Sequence, residues 1–257
     1  MPTVKETYGF LPISVWHVKD NNVYDKYLVN IETTKRSANC KYLPNLKFSR
    51  FNSKVAEQII KYWSNEGDLI LDCFMGYGIR GFVANCLNRR YIGYEISPLM
   101  YNNVKEKIKE TLIKNMNIYL DDGCKLNQTL DNSIDLIFTC PPYWDLEKYE
   151  SVPLQLSDCS SYIVFLERLK ICIQNCYRVL KNGKFVIWVI SDFRKNKQYY
   201  KFHIDLIKIF EEYKFKLWDI VINVLDSPFA WCQISKCDKM KYTSKTHEYI
   251  LVFKKEH

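Results

Sequence analysis

The stretch Phe138-Thr-Cys-Pro-Pro-Tyr-Trp144 leaves this chain little conformational choice. Two successive prolines fix φ, remove two backbone donors and push the residue before them out of the helical region. The apolar run leading into them, Ser133-Ile-Asp-Leu-Ile-Phe138, reads as a buried strand, so that strand must end in a rigid, non-helical corner. In an open α/β sheet, ligands are held at the carboxyl ends of strands. Carbonyls left to accept hydrogen bonds, followed at once by two aromatic rings, suit a planar base that carries an amino group.

The rest of the chain supports a sheet of this kind. From about residue 53, short apolar runs alternate with amphipathic stretches, which is an α/β pattern. Seven strands are predicted, at 69–72, 91–95, 118–120, 134–139, 184–190, 217–225 and 248–253. Helical periods fall at 53–64, 80–88, 98–114, 160–180 and 203–212, and crossovers of this type force parallel neighbours. Between the last two strands, residues 226–247 are polar and aromatic with no helical period, so the final strand is expected to return antiparallel. The segment 1–46 reads as irregular, with Trp16, Tyr24, Tyr27 and Tyr42 as anchors. At 257 residues and 47% hydrophobic content, one large core suffices and a single domain spanning 1–257 is expected.

Composition narrows the partners. No apolar run approaches the ~18 residues of a membrane span, and the first residues lack a secretory pattern, which predicts a cytoplasmic protein with no membrane partner. Ten cysteines are present, and those at 73, 86, 124, 172 and 176 lie in apolar patterns where a thiol behaves as a small hydrophobe, so reduced cysteines are expected. Cys232, Cys237 and His247 lack the second pair that a zinc site needs, and no metal is expected. The formal charge of +8 favours an anionic partner, and basic residues interleave with aromatic ones at 193–202 and 236–245, the mixture that grips single-stranded or flipped nucleotides.

A second chemical feature is Leu69-Ile-Leu-Asp-Cys-Phe-Met-Gly-Tyr-Gly-Ile-Arg-Gly81, a strand running into a glycine turn and a helix. Gly76 and Gly78 allow positive φ and a close approach of backbone to ligand. Taken literally, Gly76-x-Gly78-x-x-Gly81 with Glu95 ending the next strand also fits a dinucleotide fingerprint. Asp72 argues against a pyrophosphate there and for an ammonium or sulfonium. Glu95 is placed to accept from a ribose diol, and Asp121-Asp122-Gly123, which closes the third strand, from an adenine amino group.

These residues resemble the S-adenosylmethionine-dependent DNA amino-methyltransferases, which modify N4 of cytosine or N6 of adenine. The likeness covers roughly residues 48–253. It rests on Asp72-x-Phe74-x-Gly76-x-Gly78, an acid ending strand two, an acid ending strand three, and Cys140-Pro141-Pro142-Tyr143 after strand four, in that order. The resemblance implies a Rossmann-like, mostly parallel seven-stranded methyltransferase sheet with helices on both faces. It implies that Asp72, Phe74, Gly76 and Gly78 line the methionine of S-adenosylmethionine, that Glu95 takes the ribose and Asp122 the adenine, and that Phe51 packs on the cofactor. Cys140, Pro141, Pro142 and Tyr143 would be the catalytic corner, acting on a flipped or single-stranded DNA base, with 226–247 as a substrate-recognition loop. A companion restriction nuclease is compatible with it.

Cys140 departs from the family, which has a stronger acceptor there. Serine is nearest in shape, and Ser-Pro-Pro-Tyr-Trp is more typical of the N4-cytosine enzymes, so the lean is toward cytosine. A covalent cysteine as in cytosine-C5 enzymes fits poorly, because their order is Pro-Cys. Methylation of RNA or of a protein glutamine, a nicotinamide oxidoreductase, and a catalytically silent nucleic-acid-binding subunit remain the competing readings.

Overall fold

A computed structural model describes residues 3–19, 24, 26, 51–146, 149–225 and 234–256. Tyr27, Tyr42 and Phe48, and all of 226–233 including Cys232, lie outside the described residues. The elements run α1 (Val4–Tyr8), β1 (Val15–His17), α2 (Ser53–Trp63), β2 (Leu69–Asp72), α3 (Ile79–Cys86), β3 (Arg90–Glu95), α4 (Pro98–Thr111), β4 (Met116–Leu120) and β5 (Ile134–Thr139). They continue with α5 (Tyr162–Val179), β6 (Leu180–Ile190), β7 (Phe193–Lys195), β8 (Gln198–Tyr200), α6 (Phe202–Glu212), β9 (Phe215–Val224), α7 (Ile234–Met240) and β10 (His247–Lys255).

Eight strands form one sheet in the order β1-β9-β10-β6-β5-β2-β3-β4, and only β10 runs antiparallel to its neighbours. The Rossmann-like architecture and the antiparallel last strand match the sequence reading. The eighth strand, β1, differs: Val15–His17 pairs in parallel with Ile222–Val224 at the sheet edge and buries Trp16 alone. The basic, aromatic segment 193–202 holds a hairpin of β7 and β8, whose turn residues Asn196 and Lys197 both have positive φ. The stretch read without helical period contains α7.

Burial explains the layering. All six residues of β5 are buried, as a central parallel strand requires. One face is covered by α5 and α6, where Phe165, Leu169, Cys172, Cys176 and Val179 repeat at helical spacing and meet Leu206 and Phe210. The other is covered by α2, α3 and α4 through Val55, Ile59, Ile60, Phe82, Val83 and Val104. Capping fixes the helix starts: Asn52 accepts from the amides of Lys54 and Val55, and Ser97 caps α4 just ahead of Pro98. The cysteines among the described residues are free thiols, and Cys73, Cys124, Cys172 and Cys176 pack into the core. No helix among the described residues is long and apolar enough to cross a membrane.

From β2 the chain steps outward to β3 and β4, then returns to place β5 on the other side of β2. The strand order therefore reverses between β2 and β5, so the glycine turn and the Pro-Pro corner leave the sheet side by side at its carboxyl edge.

Candidate active site

Two chemical features meet through one hydroxyl, although Thr139 and Asp72 stand 67 residues apart in sequence. Thr139, the last residue of β5, donates from Oγ1 to Asp72 Oδ1 at 2.7 Å and accepts from the Phe74 amide at 3.2 Å. Asp72 also receives the Arg80 guanidinium (2.6 and 3.3 Å), the Tyr91 hydroxyl (2.8 Å) and the Phe74 amide (3.1 Å). Its side chain has no solvent exposure, and Arg80 only 5%. Asp72 thus sits beneath the glycine turn with its carboxylate saturated, not on a cavity wall. Its negative charge beside Arg80 holds the guanidinium's pKa above its usual value despite burial.

Above this network opens a cavity of about 320 Å³, within the ~300–1,000 Å³ typical of small-molecule sites. Phe51, Phe74, Gly76, Glu95, Asp122, Cys140, Pro141, Pro142 and Tyr143 all line it. Of the expected cofactor residues, Asp72 and Gly78 do not. Gly78 caps α3 with φ of +72°, and a Cβ there would meet Val104 Cγ1 at 2.9 Å, so its role is to let α3 pack against α4. Gly76, with φ of +55°, has open space where a Cβ would stand, and its amide donates to Glu95 Oε2 at 2.8 Å. The turn is therefore tied directly to the acid of the next strand.

Glu95 takes a second amide, from Ser97, at 2.9 Å. Burial outweighs these bonds, the Asp72 charge adds to it, and the carboxyl is raised to about 7. Because this lies above the free carboxyl's 4.5, the stability contributed by the protonated form is lost as pH climbs from 4.5 through 7. A ligand diol donating both hydroxyls to this acid, as the sequence reading expects of a cofactor ribose, would favour its ionised form. Cofactor affinity should therefore tighten about tenfold between pH 6 and pH 8. Calorimetric titration at the two pH values checks this, with Glu95→Gln expected to bind more weakly and with a flattened profile.

Asp122 is held by the Cys124 amide at 3.0 Å and by Arg168 of α5 at 3.1 Å. The sequence reading missed Arg168, which stands 46 residues away and belongs to a helix read only for its apolar face. It also passed over what Gly123 does. A Cβ there would lie 1.8 Å from the Cys73 carbonyl, so the loop after β4 can touch the cofactor turn only through a glycine. Tyr149, Gln155, Leu156, Asn223 and Glu248 also line the cavity and carried no sequence signal.

At the corner, Tyr143 is held by edge-on contacts with Phe193 (6.1 Å) and Phe202 (6.3 Å). Trp144 is an anchor: its Nε1 donates to the Cys159 carbonyl at 2.9 Å, and its ring packs against Tyr200 and carries Lys195. Of the basic hairpin, Lys195 is thereby engaged, while Arg194 and Lys197 are exposed, Arg194 lying over the rings of Tyr199 and Tyr242.

The cavity lining suits an adenosine-bearing methyl donor: Gly76 has open space where a Cβ would stand, and the carboxylates of Glu95 and Asp122 are of the type that accepts from hydroxyls or an amine. Comparison with known proteins agrees. The orphan methyltransferase M.BamHII of Bacillus amyloliquefaciens is 44% identical over 63 residues, 24% of each chain. The type II methyltransferase M.MthZI of Methanothermobacter thermautotrophicus is 28% identical over 157 residues, 54% of this chain and 44% of that protein. The chain thus matches less than half the length of either relative. In fold it is similar to an S-adenosylmethionine-dependent methyltransferase from Methanosarcina mazei, with a TM-score of 0.55 at 12% identity over 77% of this chain and 98% of that one. A family model described as DNA methylase matches residues 11–106 and 134–257. With the glycine turn, the strand-end acids and the Pro-Pro corner gathered around one cavity, the chain belongs to the N6/N4 family of DNA methylases, whose methyl donor is S-adenosylmethionine.

Proposed function

We propose that this protein transfers the methyl group of S-adenosylmethionine to the exocyclic amino nitrogen of a DNA base, with N4 of cytosine favoured over N6 of adenine. The observation that carries the proposal is the shared cavity: Cys140, Pro141, Pro142 and Tyr143 line the same space as Phe74, Gly76, Glu95 and Asp122. When bound, the donor supplies an electrophilic methyl on a sulfonium. Everything else falls to the protein.

An amino group on a base is a poor nucleophile because its lone pair is delocalised into the ring. Acceptors for both amino hydrogens, the Pro141 carbonyl and the Cys140 side chain, would favour a pyramidal nitrogen and aim its lone pair at the methyl. A thiol is a weak acceptor, so the carbonyl carries the larger share. No bond to the enzyme is needed. The amino group is inaccessible in a paired stack, so the nucleotide must be flipped or single-stranded, and Tyr143, braced by Phe193 and Phe202, offers the ring to receive it. The exposed Arg194 and Lys197 of the β7–β8 hairpin, with the segment 226–247, are assigned to the nucleic acid. The preference for cytosine rests on Cys140 being nearest in shape to the serine of N4-cytosine enzymes. A companion restriction nuclease is in keeping with the type II relatives.

The test is transfer of a radiolabelled methyl from the donor to DNA, RNA and protein offered separately. Label is expected in the DNA fraction, and label confined to RNA or protein would replace this reading with one of its competitors.

A further inference from the structure

Arg80 stands in the first turn of α3, 5% exposed, and lines the cavity. Its Nε and Nη2 are spent on Asp72 and on the Phe74 carbonyl, the latter at 2.6 Å. A guanidinium carries five N–H donors, and the two on Nη1 have no hydrogen-bond partner among the described residues. The guanidinium carbon lies 5.0 Å from the ring centre of Phe51 and 5.8 Å from that of Phe138, so two aromatic rings flank a cation that has little contact with water. The amino end of α2, its Lys54 and Val55 amides capped by Asn52, reaches the same cavity through Asn52 and Val55, and the dipole of this 11-residue helix adds positive potential there. A cationic fork with unused donors, a helix amino terminus and little water together make a site for a carboxylate.

The order of strand ends says whose carboxylate it is. Asp122 and Glu95 follow β4 and β3, so the adenosine lies on that side. The reactive methyl must reach Cys140 after β5, beyond β2. The amino-acid end of the donor therefore falls where Arg80 stands. The geometry points to Arg80 as the residue that anchors the methionine carboxylate of S-adenosylmethionine, with Asp72 as a positioning residue that fixes the guanidinium. This replaces the expectation that Asp72 meets the methionine directly, and it rests on the donor assignment made above.

The experiment compares binding of S-adenosylmethionine with that of its decarboxylated analogue, by calorimetry without DNA. Wild-type protein is expected to prefer the carboxylated ligand by about 30-fold, the scale of a charge-assisted, partly buried pair. Arg80→Lys keeps a cation for Asp72 but loses the outer arm of the fork. It should reduce the preference to about threefold or less while leaving affinity for the decarboxylated ligand unchanged. A wild-type preference near one, or an Arg80→Lys variant that weakens both ligands equally, overturns the assignment. Should Arg80→Lys not fold, Arg80→Gln is compared in the same way, and a preference that stays near 30-fold in that variant overturns the assignment. Wild-type protein that binds neither ligand would overturn the donor assignment together with this one, whereas binding both alike overturns only the role of Arg80.

Discussion

Replacing Asp72 by alanine is expected to cost about 3–5 kcal/mol of stability, the scale of leaving one member of a buried ion pair without its partner. The loss goes beyond the Arg80 charge. Tyr91 and Thr139, from the strands on either side of β2, and the Phe74 amide would each lose an acceptor in the interior. Against a total stability of ~5–15 kcal/mol this is a large fraction, and chemical denaturation with and without the substitution measures it. Asp72 is thus the residue through which the cofactor turn, its helix and the catalytic corner are held in register. A denaturation midpoint unchanged by the substitution would show that the network contributes little.

The second large effect is on turnover. Tyr143→Ala should reduce methyl transfer by about 10- to 100-fold, the range set by removing one base–aromatic stacking contact. Cofactor affinity should hold, since the ring contacts that brace Tyr143 come from Phe193 and Phe202. Cys140→Ser should behave in the opposite way and keep or raise turnover, because a hydroxyl of nearly the same size is the better acceptor. A covalent role for the thiol predicts the reverse ranking. Steady-state rates for both variants beside the wild type, with intact-mass measurement for an adduct, separate the two.

The parts of this fold that were legible in the sequence are those encoded by local periodicity. The runs at 69–72 and 134–139 became β2 and β5 with the same bounds, because a central parallel strand is a short continuous apolar run bounded by turn residues. Strand β1 was not legible, since three residues with one buried side chain carry no period and exist only by pairing with β9. The three-residue strands β7 and β8 escaped for the same reason. At the site, the strand-end acids and the corner could be found because each ends a recognisable strand. What each acid binds could not. Asp72 is answered by Arg80 from the first turn of the following helix, and Asp122 by Arg168 from a helix on the opposite face, and these are facts of packing. The glycines divide likewise: the turn announces Gly76, whereas the need for glycine at 123 is created by the Cys73 carbonyl, 50 residues earlier.

The central claim is that an amino nitrogen of a DNA base receives the methyl group. It is tested most directly by incubating DNA with the protein and isotopically labelled S-adenosylmethionine, digesting the DNA to nucleosides and identifying the labelled species by mass spectrometry. The account predicts N4-methylcytosine, with N6-methyladenine as the other product consistent with the corner's chemistry. Labelled 5-methylcytosine, or DNA left unlabelled by protein that binds the cofactor, would contradict it.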